Sequence, residues 1–537
     1  MKNKLLSVLI CIIAFYFLYF HKLGNSPLFD PDEPIYGKFV QEMVKSGDYL
    51  TPSYNGKIWY DKPPLFYWLS SFCTYCTEYV TSNTSFRVSE TAMRLPSAVL
   101  GVLLVILVFF WGSIAGNFSA SLLSAIVMAT CLQQIILCHA AVTDITLTFF
   151  LTLSLFSISN WLESENAKSR HLWAVIAGIA AGLAMLTKGP VSIVLLPAAL
   201  IIHLAITKKL RQLLSFDTLL MVIFSLLVGL PWFIISWKLH PEEFYHDMIL
   251  VNHIQRFLKP EHPDQTGHFF SYFLNIPILF IFFFPWSMFL IQSLRNSYRR
   301  FKNMQLPESD LLALIWIGVV FCFFSISKTQ LVTYIFPLYP AAALIVGKWF
   351  ANITGDEKIG VEKGLKAGLG MSLILLLTIS IAAFNKFPEA LFVASSGGAI
   401  FLLTFFVAFR FWKKDPMNYQ KLPFVMALGM IFFSFWLMEF ILPVAGARGS
   451  TRDIVKEFEV LSPEEKIFSY RLNRPSLPFY SQRVFEKTEE SEEIFKAVAL
   501  APKNVEVLCK DSHAEIFLAK GGKVKKSIGG VTLLAFR

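Results

Sequence analysis

The run from Asp217 to Trp237, DTLLMVIFSLLVGLPWFIISW, opens on one acid and then carries no charged side chain until Lys238. A helix of about 20 apolar residues rises far enough to cross a hydrocarbon layer roughly 30 Å thick. Lys208, Lys209 and Arg211 precede the run, as basic residues do at an anchored membrane span. Comparable runs recur at about 92–115, 118–138, 145–161, 171–187, 190–206, 271–293, 309–326, 334–352, 367–385, 390–411 and 422–445. An uncleaved first helix over Leu5 to Phe20, after Lys2 and Lys4, brings the number to about thirteen. The composition agrees: 537 residues that are 55% hydrophobic and 16% charged, with 53 Phe and 12 Trp, hold more apolar surface than a soluble core buries. Backbone amides in lipid must be satisfied within their own segment, so the expected fold class is a polytopic α-helical membrane protein.

Alternation from a cytoplasmic N-terminus places Lys168 with Arg170, Lys208 with Lys209 and Arg211, and Arg295 with Arg299, Arg300 and Lys302 on the cytoplasmic side. Lys358, Lys363 and Lys366, then Arg410, Lys413 and Lys414, fall there too. A wrong helix count would scatter these clusters over both faces. The other face receives a first polar loop at 21–91, a second large loop at 238–270 and everything after about 446. The first loop contains an aromatic amphipathic stretch, Leu65 to Tyr79, suited to the membrane surface. The net charge of +10 is spread over short loops and forms no nucleic-acid stripe, so the partner implied by composition is the lipid bilayer.

Residues 1–446 therefore read as a membrane domain and 447–537 as a small soluble α/β domain, with short apolar runs at Lys466–Tyr470, Asn504–Leu508 and Val531–Phe536 between charged helical segments. The seven cysteines do not form the even framework of a secreted scaffold, and Cys73 and Cys76, spaced like a redox pair, read as packing residues among aromatic neighbours.

Six segments carry candidate chemistry, all on the face opposite the basic clusters. Asp30-Pro31-Asp32-Glu33-Pro34-Ile35-Tyr36 puts three carboxylates beside the bilayer, where charge is costly unless solvated, paired or used. A helix start explains Asp30 as N-cap, Pro31 as the first helical residue and Glu33 as a capping-box partner. It leaves Asp32 for general-base work or for stabilising an oxocarbenium-like centre. In Tyr60-Asp61-Lys62-Pro63-Pro64 the prolines fix the backbone around an ammonium suited to phosphate, or to simple snorkelling. Thr143-Asp144 opens a span, where capping is the ordinary role. Lys188-Gly189-Pro190 forms a tight connection whose cation suits an anionic headgroup or the interface.

The segment Asn252-His253-Ile254-Gln255-Arg256 contains the side chain best shaped to clamp phosphate, with His253 and His268 as proton carriers or as two of the ligands a divalent metal would need. KTQLVTYIFPLYP, Lys328 to Pro340, brings Lys328, Tyr334 and Tyr339, with interfacial tyrosine as the alternative reading. Together these segments place acids and cations on one face, as transfer from a lipid phosphate requires: cations for the departing phosphate, an acid for the acceptor or the developing charge on a sugar. No Walker loop or dinucleotide fingerprint is present, and no cofactor is expected apart from a possible metal.

The ordered set DPDEPIY, SGDYLTPSYNGKIWYDKPPLFYW, Asp144, GLAMLTKGP, NHIQRF and KTQLVTYIFPLYP resembles the bacterial lipid A aminoarabinose transferases and the related protein O-mannosyltransferases, which are GT-C-fold enzymes using polyprenyl-phosphate sugars. The resemblance covers about residues 1–345 and implies an inverting inner-membrane glycosyltransferase working on the periplasmic side. Its donor is then an undecaprenyl-phosphate-type sugar and its acceptor lipid A, or alternatively a protein or another glycan. It implies catalytic roles for Asp32, Asp144 and Glu33, and phosphate-binding or carrier-closing roles for Lys62, Arg256, Lys188, Lys328 and Tyr334. Tyr36, Asp61, His253 and His268 are then further cavity residues. Where the aminoarabinose enzymes read Asp-Glu-x-Arg-Tyr and Glu-Lys-Pro, this chain has Ile35 and Asp61. A flippase for lipid-linked sugars is the rival class. It would place ionisable residues at the bilayer midplane, and the helix centres here are nearly free of them.

Overall fold

The computed structural model describes residues 13–81, 88–258, 273–355, 357–386, 391–416, 419–458, 467–483, 485–500 and 505–536. In chain order its principal helices are α1 (Asp32–Ser46), α2 (Leu65–Thr81), α3 (Glu90–Ser113), α4 (Phe118–Thr130), α5 (Leu132–Cys138), α6 (Thr143–Glu163), α7 (Ala167–Lys188) and α8 (Val191–Ile206). There follow α9 (Phe216–Leu239), α10 (Asn275–Phe282), α11 (Ser287–Lys302), α12 (Glu308–Ile326), α13 (Tyr339–Ala351), α14 (Glu357–Lys386), α15 (Leu391–Lys414) and α16 (Leu422–Trp436). The chain folds as two compact units. The first comprises Met1–His21, Trp59–Phe66 and Pro96–Leu437; the second comprises Lys22–Ile58, Tyr67–Leu95 and Met438–Arg537.

The first unit is a helix bundle. Among the described residues eight helices are long and apolar enough to cross a membrane, or up to ten if each of two bent pairs counts as one span, and Val191–Ile206 and Phe336–Ala351 are shorter apolar helices. Most of the first expected span lies outside the described residues. On α9 only 22% of the apolar window is buried, and Leu219, Val222, Leu226, Leu227 and Ile234 face outward, as lipid-facing side chains do. Its other side lies on α7, where a Cβ at Gly178 would come within 2.5 Å of the Met221 carbonyl and one at Gly182 within 2.7 Å of that of Ser225. Small residues let these backbones approach where lipid gives no hydrophobic drive to pairing.

Two expected spans are broken. The 118–138 run bends by 61° between α4 and α5, at extended Cys131, and the 271–293 run bends by 109° between α10 and α11, around Pro285. Proline lacks the amide that would continue the ladder. The breaks serve each other: the Leu132 amide, orphaned at the start of α5, donates to the Phe284 carbonyl at 3.0 Å, and the Trp286 indole donates to Thr130 Oγ1 at 3.1 Å.

In the second unit a five-stranded sheet runs in the order β4-β3-β5-β7-β6, from β3 (Ile467–Tyr470), β4 (Glu486–Thr488), β5 (Val505–Lys510), β6 (Lys523–Ile528) and β7 (Val531–Phe536); a separate hairpin pairs β1 (Ser53–Tyr54) with β2 (Lys57–Ile58). β3 is parallel to β4 and β5, and β7 is antiparallel to β5 and β6. Apolar clusters cover both faces, around Leu508 and Leu533 on one and Val507 and Leu534 on the other. β3, β5 and β7 coincide with the apolar runs of the sequence. The edge strands β4 and β6 do not, because EKT and KVKKSI carry charge where a central strand would carry apolar side chains. Cys131, Cys138 and Cys509 are buried as packing residues, whereas Cys76 is exposed.

Candidate active site

Asp144 stands in the first turn of α6, whose N-cap is Val142 with no side-chain cap, so the acid is not used for capping. It is buried, and its Oδ1 accepts from Lys188 Nζ at 2.8 Å across the antiparallel α6–α7 pair. Lys188 is the last residue of α7, and its ammonium lies 5.0 Å from the centroid of the Tyr334 ring, itself 5.2 Å from that of Phe324. Gly189 then turns the chain with φ +78°, and Pro190 leads into α8.

Lys62 reaches the same place from the loop before α2. It is buried, and its ammonium donates to Asp61 Oδ1 at 3.0 Å and to the Asp61 carbonyl at 3.2 Å. Burial lowers its pKa below the ordinary lysine value against the pull of Asp61, and Arg256 adds to the lowering. A π-helical segment, Phe244–Gln255, supplies Asn252 and His253 and leads into Arg256. Asn252 Nδ2 donates to the Asp247 carbonyl at 2.9 Å, and the Tyr60 amide donates to Asp247 Oδ2 at 3.4 Å, tying this segment to the Lys62 loop. His253 Nδ1 bonds the Met248 carbonyl, and burial lowers the pKa of the ring.

Asp61, Lys62, Asp144, Lys188, Asn252, His253, Arg256, Ser327 and Tyr334 line one cavity of about 240 Å³. It lies where α6 begins, α7 ends and α8 begins, at the far end of those helices from the basic residues Lys168, Arg170, Lys208 and Lys209. Among the described lining residues three cations stand against two acids, and the apolar walls, Leu147, Val194, Phe323 and Phe324, strengthen each charge interaction. Of the residues singled out in the sequence, Asp61, Lys62, Asp144, Lys188, His253, Arg256 and Tyr334 are thus brought together. Lys328 is exposed and is not among the lining residues. His268 lies outside the described residues, and among those described there is no group of three His, Cys, Asp or Glu side chains able to hold a metal ion.

Asp32, Glu33 and Tyr36 belong to the second unit. Pro31, not Asp30, is the N-cap of α1, because the Asp30 carboxylate is taken by Ser476, whose amide and hydroxyl donate to it at 2.7 and 2.6 Å. Asp32 is exposed in the first turn, and Tyr36 is buried against Tyr67. Glu33 is buried: one oxygen accepts from Arg94 Nε at 3.0 Å, the other from Arg94 Nη2 at 2.8 Å and from the Phe29 amide at 2.7 Å. Arg94 also donates to the carbonyls of Leu23, Ser26 and Pro27 and so fixes the loop that presents α1. Arg94 belongs to none of the six candidate segments of the sequence. A guanidinium at the mouth of an apolar run was the available signal.

Comparison with known proteins follows the same lines. The profile of the dolichyl-phosphate-mannose-protein mannosyltransferase family matches residues 4–239. A protein of Aquifex aeolicus without a described function is 31% identical over 512 residues, covering 94% of this chain and 91% of that one. The undecaprenyl phosphate-alpha-4-amino-4-deoxy-L-arabinose arabinosyl transferase of Pectobacterium carotovorum is 28% identical over 380 residues, covering 69% of this chain and 64% of its own length.

The chain belongs to the GT-C glycosyltransferase superfamily, in the branch of the aminoarabinose and protein mannosyltransferases.

As a GT-C protein it also has the expected architecture. The crystal structure of ArnT from Cupriavidus metallidurans bound to undecaprenyl phosphate superposes with a TM-score of 0.81 at 21% identity, over 99% of this chain and 98% of that one. The archaeal oligosaccharyltransferase AglB from Archaeoglobus fulgidus follows at 0.53, over 94% of this chain and 69% of its own. The expected helical membrane fold with a small C-terminal sheet domain is the fold of this GT-C chain.

Proposed function

We propose that this GT-C protein is an inverting glycosyltransferase that moves a sugar from a polyprenyl phosphate, of the undecaprenyl type, onto lipid A. The observation that carries the reading is the convergence of Lys62, Lys188 and Arg256 with Asp61 and Asp144 on one cavity between apolar walls. In this reading Lys62 and Arg256 hold the phosphate as it departs, because preorganised cations stabilise charge that develops in the transition state. Lys188, braced by Asp144, holds the same charge from the α7 end, and Tyr334 packs over that ammonium as the carrier settles. Asp32 is assigned the acceptor: a lipid A phosphate is already anionic, so the acid orients it, whereas a hydroxyl acceptor needs it as a base. Glu33 supports Asp32 through Arg94, and Lys328 meets the carrier outside the cavity. The described activity of the Pectobacterium relatives, 28% identical, supports the undecaprenyl-phosphate-linked donor. The protein then sits in a bacterial inner membrane with its N-terminus in the cytoplasm, and with the cavity and the sheet domain in the periplasm.

The test is mass spectrometry of lipid A and of total glycolipids from cells with and without the protein, alongside Asp32→Asn and Lys62→Gln. Lipid A carrying an added sugar only with the wild type supports the full reading. Unchanged lipid A with a newly glycosylated protein or glycan moves the acceptor. Carrier-linked sugar that merely changes sides of the membrane overturns transfer in favour of flipping.

A further inference from the structure

The helix that carries Asp32 is not closed by a cap of its own: Pro31 stands at the N-cap of α1 and makes no side-chain bond there. What fixes this end is the sheet domain of the same unit, through the run Arg474-Pro475-Ser476-Leu477-Pro478-Phe479-Tyr480-Ser481, which closes in the short helix Ser476–Ser481. Two residues before Asp32, the Asp30 carboxylate accepts from the Ser476 amide and hydroxyl at 2.7 and 2.6 Å, with the Arg474 guanidinium 3.6 Å away. The Asp30 amide donates to the Gly449 carbonyl at 2.9 Å. On the approach to α1, the Leu28 amide donates to the Tyr480 hydroxyl at 2.7 Å, and that hydroxyl donates to Glu90 Oε1 at 3.1 Å. Along the helix, Gln41 Nε2 donates to the Phe479 carbonyl at 3.1 Å, and a Cβ on Gly37 would come within 2.7 Å of the Phe479 ring. Contacts before, beside and beyond Asp32 thus fix both the position and the tilt of α1. Ser476 is buried, and its hydroxyl and that of Tyr480 are taken up by these partners, so the run works on α1 and not on a ligand.

From this arrangement we infer that the sheet domain serves transfer by holding Asp32 in register, with Ser476 and Tyr480 as positioning residues that act through Asp30 and Leu28. The inference rests on the reading of Asp32 as the acid that meets the acceptor. An acid orients its partner only while its own backbone is fixed, and a displacement of about 1 Å near reacting groups costs up to about 10²-fold in rate. Removing the Ser476 hydroxyl takes a donor from the Asp30 carboxylate, and removing that of Tyr480 takes the acceptor from the Leu28 amide. Either change loosens the end of α1 that carries Asp32 while the acid keeps its charge. The domain on this account sets the rate of transfer and leaves acceptor affinity to other groups, and neither residue makes or breaks a bond.

The experiment measures initial rates of sugar addition to lipid A, titrated over lipid A, in inner-membrane vesicles holding the full chain and the cell's own carrier-linked sugar, with rates taken per folded protein. In Ser476→Ala and in Tyr480→Phe the maximal rate should fall by about 10- to 100-fold, with half-saturating lipid A within about twofold of the wild type. Thr451→Val is the control, because Thr451 bonds the same Ser476 hydroxyl at 2.9 Å and its loss leaves Asp30 its donors; it should keep the wild-type rate. Asp32→Asn is run beside them. Wild-type rates in Ser476→Ala and Tyr480→Phe with transfer lost in Asp32→Asn overturn the inference and leave the reading of Asp32 standing. A wild-type rate in Asp32→Asn, or no sugar on lipid A from the wild type itself, overturns both. A higher half-saturation at an unchanged maximal rate assigns the domain to acceptor binding and overturns the inference, as does an equal loss in Thr451→Val, which marks a general loosening of the domain. Should Ser476→Ala not fold, Tyr480→Phe, which loses a single hydroxyl from a half-buried ring, decides by the same readouts.

Discussion

Lys62 shows how one side chain combines structure and chemistry in this cavity, since its ammonium is buried beside its own neighbour Asp61. Lys62→Gln keeps length and polarity but removes the charge, and single-turnover transfer should fall by about 10²- to 10³-fold with the thermal unfolding midpoint nearly unchanged. Arg94 gives the opposite pattern. Its guanidinium meets both Glu33 oxygens and three carbonyls, a fork that lysine does not reproduce, so Arg94→Lys should lose about 3–5 kcal/mol of stability, read by thermal denaturation or protease resistance. His253 adds a pH dependence. Its folded pKa is lowered from the ordinary value of about 6.5, so the folded ligand-free protein binds fewer protons than the unfolded chain below that value. Stability is therefore full above about pH 6.5 and declines as the pH falls toward the folded pKa. The unfolding midpoint of the wild type should drop between pH 7 and 5.5 by more than that of His253→Gln.

Among the elements, glycine contacts separate positions that must stay bare from those that need not. A Cβ at Gly347 on α13 would lie 2.3 Å from the Ser124 backbone of α4, whereas one at Gly318 on α12 meets nothing within 4 Å. Gly347→Ala should destabilise the bundle by about 1–3 kcal/mol, and Gly318→Ala should be neutral or stabilising by up to about 1 kcal/mol, both measured by unfolding in detergent. Element type was well marked in the sequence because apolar length alone distinguishes a span. Continuity was not: Cys131 and Pro285 interrupt runs whose composition stays apolar to the end, and what stabilises each interruption is a backbone group from the other. Edge strands were hidden for the converse reason, since Lys523, Lys525 and Lys526 make a good solvent-facing edge and a poor strand signature. The site was legible as far as single motifs at helix ends go. That Lys188 and His253 meet at Gly189, and that Glu33 is held by Arg94, depends on contacts between segments distant in the chain, which no local pattern records.

For the whole molecule, orientation is the property to test directly. In a background where Cys76 and Cys322 are serine, Lys57→Cys should react with an impermeant maleimide in spheroplasts, and Lys302→Cys should react only after the membrane is opened; the reverse pattern would turn the protein over. The mutual capping of the two helix breaks bears on how such a chain is made. The amide of Leu132 leaves the ribosome long before the carbonyl of Phe284 to which it is finally bonded. Until then the bend between α4 and α5 has an exposed polar group that lipid does not satisfy. Nascent chains halted between the two breaks should therefore remain associated with the insertion machinery longer than chains released after α11. The helices on either side of the first break, though made earlier, are completed by a partner that the ribosome adds later.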